Sequence, residues 1–368
     1  MEQKKRRNNN IDIVKGIMIL SVVVYHLIYR PKNCMADRIC MEFIYLSMPL
    51  FFLIAGYFYR EREGSFVLSI WNRLKKVILP VIGVSATLLI CFGPYYMVVY
   101  KITPSQWLGD IVTTYLRPEL MKIIKPEFVT DDKLFNNISP IWFIWALFFA
   151  TILFYICMEF AKKSNIRLVV TSLVLIAMGT VLYIYTAPLS WSLNIAPLYT
   201  GIMMLGYLLK QCNVLEKLEK LNLGISCLIM IPAAVAHYFI YMNFGSDLIF
   251  MSILGDKGYL SAIFFVIQIF IGGYVLFTLS RVISLWKYSE KAFTWVGRHT
   301  LVILLFHFLI AGITADALHT YNKSGPDWYI EPVTPELFIK SLITFVVALA
   351  GCIGLALLND KLKSKFKK

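Results

Sequence analysis

The chain has 368 residues, of which 58% are hydrophobic and only 16% charged, and its mean hydropathy is +0.68. Soluble domains of that length carry far more charge, so a water-soluble fold is excluded, and the uninterrupted apolar runs exclude a β-barrel, whose strands alternate. The net charge of +14 sits in short clusters between those runs and at both ends ("MEQKKRRNNN", "NDKLKSKFKK"), which is the pattern that orients helices and meets anionic headgroups, not a nucleic-acid surface.

Apolar stretches of about 20 residues, each able to cross a bilayer core, recur along the chain. Their lengths and punctuation predict an all-α polytopic membrane protein of about ten spans. These run over residues 11–29, 41–59, 77–100, 140–161, 168–187, 194–209, 223–244, 259–280, 292–314 and 337–358. The sixth is the shortest. Residues 11–358 are expected to form one membrane domain, with basic tails at 1–10 and 359–368. If the N-terminus is cytoplasmic, roughly 23 of the 36 Lys and Arg fall in inner segments and about 10 in outer ones. Both termini are therefore expected inside, in a bacterial inner membrane.

The first span, "DIVKGIMILSVVVYH", carries Lys15 near its start and His26 far along it. Eleven residues are close to three turns at about 3.6 per turn, so the two side chains leave one face with a rise of about 16 Å. Gly16 lies beside that stripe and permits close approach of another helix. An ionisable group at membrane depth has a task or a partner. The imidazole is expected to carry a function facing a ligand with an anionic head and a long thin arm, or else to be a neutral hydrogen-bond partner between helices; Lys15 either meets that anionic head or snorkels to the headgroups. Asp12 lies about 20 Å below His26 on an unbroken helix and is too far away to orient it, so an orienting group is expected from another span.

Further along, Cys34 and Cys40 share one loop and could pair, although free thiols are the simpler expectation. Arg73 and Lys76 stand about one turn apart after the second span, at the surface expected to be cytoplasmic, where plain topology anchoring explains most basic residues. The segment 101–139 is the longest outer stretch, and "SQWLGDIVTTYL" within it has the spacing of an amphipathic surface helix. Trp142 is placed to line a central pore or to join an interfacial belt. "VLEKLEKL" reads as an interfacial helix with charge pairs three and four residues apart. In the ninth span His307 lies mid-membrane, with Arg298 two to three turns nearer the cytoplasm. His237, His299 and His319 are read as surface or structural. The cysteines and histidines form no metal-ligand spacing, so no metal is expected.

Five stretches, in order, resemble the integral-membrane acyltransferase 3 family. "DIVKGIMILSVVVYH" is similar to its first helix, with a basic residue eleven positions before a histidine; "MPLFFLIAGYFY", "RLKKVILP", "IWFIWALFF" and "VGRHTLVILLFH" are similar to its later motifs. The set resembles the sugar O-acetylase-like branch. Lys15 stands where the family has arginine, which loses the bidentate fork; Ala55 and Thr300 stand where serine is usual.

The resemblance implies transfer of an acyl group from acyl-CoA, acetyl-CoA first, to a hydroxyl of a glycan or lipid-linked sugar. His26 would be the general base, Lys15, Arg73 and Lys76 would hold the CoA phosphates, and Trp142, Arg298 and His307 would line the path. The lipid bilayer is the surrounding partner, with a homo-oligomer or a separate envelope protein as further partners. Two other classes fit the charged stripe: a transporter or flippase for a glycan or lipid precursor, and a non-catalytic subunit of a polysaccharide synthase.

Overall fold

The computed structural model describes residues 8–31, 34–60, 66–79, 141–185, 193–245, 259–318 and 333–365 continuously, with scattered positions between 82 and 106. Among the described residues every regular element is helical. The helices are α1 (Asn9–Leu27), α2 (Met35–Tyr57), α3 (Phe66–Arg73, continuing as a π turn over Leu74–Ile78), α4 (Ile141–Ala161), α5 (Asn165–Tyr185) and α6 (Ala196–Gln211). They continue with α7 (Val214–Lys220), α8 (Leu223–Ile240, ending in a π turn over Tyr241–Gly245), α9 (Tyr259–Ile283), α10 (Lys287–Arg298), α11 (Thr300–Ala317) and α12 (Pro335–Lys365).

Six helices among the described residues are long and apolar enough to cross a membrane: Asn9–Leu27, Phe143–Ala161, Asn165–Tyr183, Leu223–Asn243, Ala262–Ile283 and Pro335–Lys365. Two of the ten expected spans differ, each for a physical reason. The expected second span falls on α2, in which Leu46–Tyr57 is an apolar stretch among the described residues. The sixth is α6, whose 16 residues rise only about 24 Å, short of a bilayer core. The ninth is broken. Its two halves, Lys287–Arg298 and Thr300–Ala315, meet at 79°, where the His299 Nδ1–H donates to the Trp295 carbonyl at 2.8 Å and Nε2 meets the Asp360 carboxylate of α12 at 2.9 Å. The expected third span and the outer segment around "SQWLGDIVTTYL" lie mostly or wholly outside the described residues, as does His319.

The chain forms two compact units. One comprises Phe52–Cys212 and Tyr321–Asp327. Its centre is α6, which is buried over most of its length. A Cβ on Gly201 would reach 2.7 Å from the Ser172 carbonyl of α5, and one on Gly206 or Gly56 would overlap the facing backbone of Leu53 or Met203. Small residues let backbones touch where no hydrophobic force separates helix from lipid. Thr200 then donates across to the Ala150 carbonyl of α4 at 3.1 Å.

The second unit comprises Met1–Phe51, Asn213–Thr320 and Trp328–Lys368. α1 runs through it, capped by Asn8, whose side chain accepts from the Ile11 amide. Along α1, Ile13, Met18, Val22 and Val23 are fully enclosed. α8 is its opposite. Only Ser226 and His237 are buried in it, while Leu228, Ile231, Val235 and Phe239 are exposed, as expected of a lipid-facing helix. α7 buries no residue and sits under Arg281, which donates to the Leu218 and Leu221 carbonyls and to Ser226 Oγ.

Candidate functional site

The site lies in the second unit and is built along α1. At its lower end the Gly16 face meets α10. A Cβ on Gly16 would stand 2.5 Å from the Phe293 carbonyl oxygen, and one on Gly297 would overlap the Asp12 carbonyl. The two helices thus cross backbone to backbone. That contact brings Arg298, the residue after Gly297, against the first turn of α1.

Among the described residues, three charges meet there. Asp12 is 2% exposed. One carboxylate oxygen accepts from Lys15 Nζ at 2.6 Å and the other from Arg298 Nε at 3.2 Å. Arg298 Nη2 also reaches the Asn9 side-chain oxygen at 3.4 Å, and the Asn9 amide donates to Glu290 at 2.9 Å. A carboxylate at this depth is tolerable because both oxygens are covered by cations.

About 16 Å further along the same unbroken helix comes His26. Val22, Val23, Tyr25 and Leu27 around it are buried, yet the His26 residue itself is only partly so. Its ring packs against Phe308 at 4.6 Å between centroids and stands 5.7 Å from the ring of His307, both on α11. His307 is wholly buried. Its Nδ1 is 2.8 Å from the Ile303 carbonyl, and a carbonyl can only accept, so the proton is on Nδ1. Nε2 is left as a lone pair, buried and without a partner. The two rings therefore set the His26 imidazole beside a second whose tautomer is fixed by the backbone.

Just beyond His26 the chain leaves α1 and turns on Arg30. Its Nη1 donates to the Tyr25 and Ile28 carbonyls at 3.0 and 3.1 Å, and its Nε to Asp37 at 2.7 Å. The guanidinium also lies over the Tyr25 ring, 4.8 Å from its centroid. It closes the end of α1 and ties it to the first turn of α2. A second pair, buried His237 Nδ1 to partly buried Glu42 at 2.5 Å, links α8 to α2, so His237 is not on the surface.

Of the residues singled out from sequence, the structure places Lys15 and Arg298 on one carboxylate, and His26 and His307 ring to ring. Arg298 is not two to three turns below His307 on one continuous helix, because the 79° bend turns α10 away. Arg73 ends α3, Lys76 lies in the π turn and Trp142 opens α4, but their side chains lie outside the described residues. Cys34 and Cys40 are free thiols. Asp12, Phe308 and Arg30 were not anticipated as site members. For Asp12 there was a signal, since an acid three residues before a lysine pairs on a helix.

No curated protein and no solved structure matches the chain. The family model described as an acyltransferase domain matches residues 8–358, nearly the whole length. With its apolar helices and a histidine-bearing first helix, the chain belongs to the acyltransferase 3 family and is a multi-pass membrane acyltransferase.

Proposed function

We propose that the protein is an O-acyltransferase of a bacterial inner membrane. It would take an acyl group, acetyl first, from cytoplasmic acyl-CoA and place it on a hydroxyl of a cell-surface or lipid-linked glycan. The assignment to glycans rests on the resemblance of the five motif stretches to the sugar O-acetylase-like branch. His26 is the general base. A sugar hydroxyl must lose its proton as it attacks a thioester carbonyl, and imidazole is the side chain suited to that near neutrality. The hydroxyl proton passes to His26, the oxygen forms the new ester bond, and the carbon–sulfur bond breaks. The CoA thiolate then takes the proton back from the imidazolium, so CoA thiol and ester leave and His26 is reset.

The observation that carries this reading is the His26 ring standing 5.7 Å from the ring of His307, whose buried Nε2 has no partner. The His307 lone pair can receive an N–H from His26, directly or through one water, and so hold the base in one tautomer.

The test uses the full chain in lipid nanodiscs with acetyl-CoA labelled in its acetyl group. The wild type should release CoA thiol and pass label to a glycan fraction of its host, and His26→Asn should lower that rate roughly 100-fold or more while CoA still binds. An unchanged rate in His26→Asn removes the histidine base. Absence of any acetyl transfer by the wild type, with glycan flux across vesicles instead, favours the transporter.

A further inference from the structure

The cluster at the Asn9 end of α1 holds more cationic hydrogen-bond capacity than its own carboxylate uses. Lys15 has three N–H donors, of which Asp12 takes one; Arg298 has five, of which Asp12 and Asn9 take two. The burial is unequal. Side-chain exposure is 21% for Lys15 and 43% for Arg298, against 3% for Asp12. Seen from solvent the triad is therefore a pair of cations, with the acid hidden behind them and touching both. Among the described residues, the next acid is Glu290, which accepts from the Asn9 amide.

We propose that Asp12 is a positioning residue that holds Lys15 and Arg298 together as a two-cation seat for the diphosphate of acyl-CoA. The proposal rests on the preceding reading for its ligand and adds to it the second cation and the group that aims both. Two like charges repel when brought within reach of one anion. A buried carboxylate between them removes that repulsion in advance, so the seat is preformed before the ligand arrives. Arg298 supplies the planar fork that Lys15 lacks at a position where the family carries arginine. The crossing of Gly16 and Gly297 makes this possible, because any side chain there would push Arg298 away from Asp12.

The dimensions agree. The pantetheine arm has about thirteen bonds between sulfur and the first phosphorus and spans about 15 Å when extended, at the advance per bond of an extended backbone. The rise from Lys15 to His26 is about 16 Å. A diphosphate at the seat thus delivers its thioester to the level of His26.

The experiment measures binding of two probes, CoA and acetyl-pantetheine, to the full chain in nanodiscs. Acetyl-pantetheine carries the arm and the thioester but no phosphate. Arg298→Gln should weaken CoA about tenfold and leave acetyl-pantetheine unchanged, because a charge-assisted contact to phosphate is lost and nothing else moves. Asp12→Asn should show the same split, with Asp12→Glu recovering part of the affinity. Arg298 is nearly half exposed, so its variant reports even if Asp12→Asn does not fold.

Equal CoA affinity in Arg298→Gln overturns the seat, as does equal weakening of both probes, which marks a merely structural role. Arg298-dependent CoA binding without any acyl transfer leaves the seat standing and removes the enzymatic reading instead. No CoA binding by the wild type removes both.

Discussion

Arg30 and Asp37 show what a single pair can do at the end of a buried helix. Both are 5% exposed, and the guanidinium serves the Asp37 carboxylate, two carbonyls and the Tyr25 face at once. Removing the Asp37 charge leaves the guanidinium buried without its carboxylate, at a cost of about 3–5 kcal/mol, and removing Arg30 takes away the ion pair and both carbonyl contacts at once. Asp37→Asn and Arg30→Met should therefore each lower the thermal midpoint of the purified protein strongly. The double variant Arg30→Met with Asp37→Leu should regain much of the loss, since no charge is then left uncompensated. A double variant no better than the singles would show that the carbonyl contacts, not the ion pair, hold the turn. Arg30 could not be assigned from sequence, where a lone basic residue after a span reads as topology. Its partners lie close in the chain, but only the reversal between α1 and α2 brings Asp37 to it. Lys15 and His26 were legible because their relation depends on nothing but helix period.

At the scale of elements the decisive feature is the pair of glycines where α1 crosses α10. The Asp12 and Phe293 carbonyls sit where a Cβ would go, so Gly16→Ala and Gly297→Ala must separate the helices. Overpacking of this kind costs about 1–3 kcal/mol, and the separation also pulls Arg298 from Asp12. Both variants should melt earlier and bind CoA more weakly. Gly354 in α12 is the internal control. Nothing lies within 4 Å of the Cβ it would gain, so Gly354→Ala should be neutral or stabilising by up to about 1 kcal/mol through helix propensity. Equal behaviour of all three variants would mean the crossing is not a tight constraint. Gly16 was legible as a point of close approach, but its partner was not, because that partner follows from the break at His299. The run "VGRHTLVILLFH" contains no proline and stays apolar beyond the histidine, so it reads as one span. The bend is fixed by Trp295 and by Asp360, the latter 61 residues away, and no local pattern encodes it. The charged stretch before it, Lys287, Glu290 and Lys291 among aromatic residues, was the available sign that this turn of helix does not sit in lipid.

Across the whole second unit, hydrogen bonds gather several basic segments on one face. Asn8 meets Glu219 beside Lys217 and Lys220, Asn10 meets Ser284, and Asn9 meets Glu290 beside Lys287 and Lys291. His299 joins Asp360 at the start of the run holding Lys361, Lys363 and Lys365. The start of α1 and the end of α12 are thus on the same side of the unit, together with the cations of the 281–298 connection. Lys and Arg near span ends are retained in the cytoplasm, whatever acids accompany them. That face, with Lys15 and Arg298 in it, should therefore look inward, toward the compartment that holds acyl-CoA, and His26 should lie toward the opposite side. The consequence is measurable with two fusions at the C-terminus. Green fluorescent protein should fluoresce there and alkaline phosphatase should be inactive, because the first matures in the cytoplasm and the second only outside it. An active phosphatase and a dark fluorescent fusion would put the cation seat on the side without CoA, and the donor could then no longer enter where Lys15 stands.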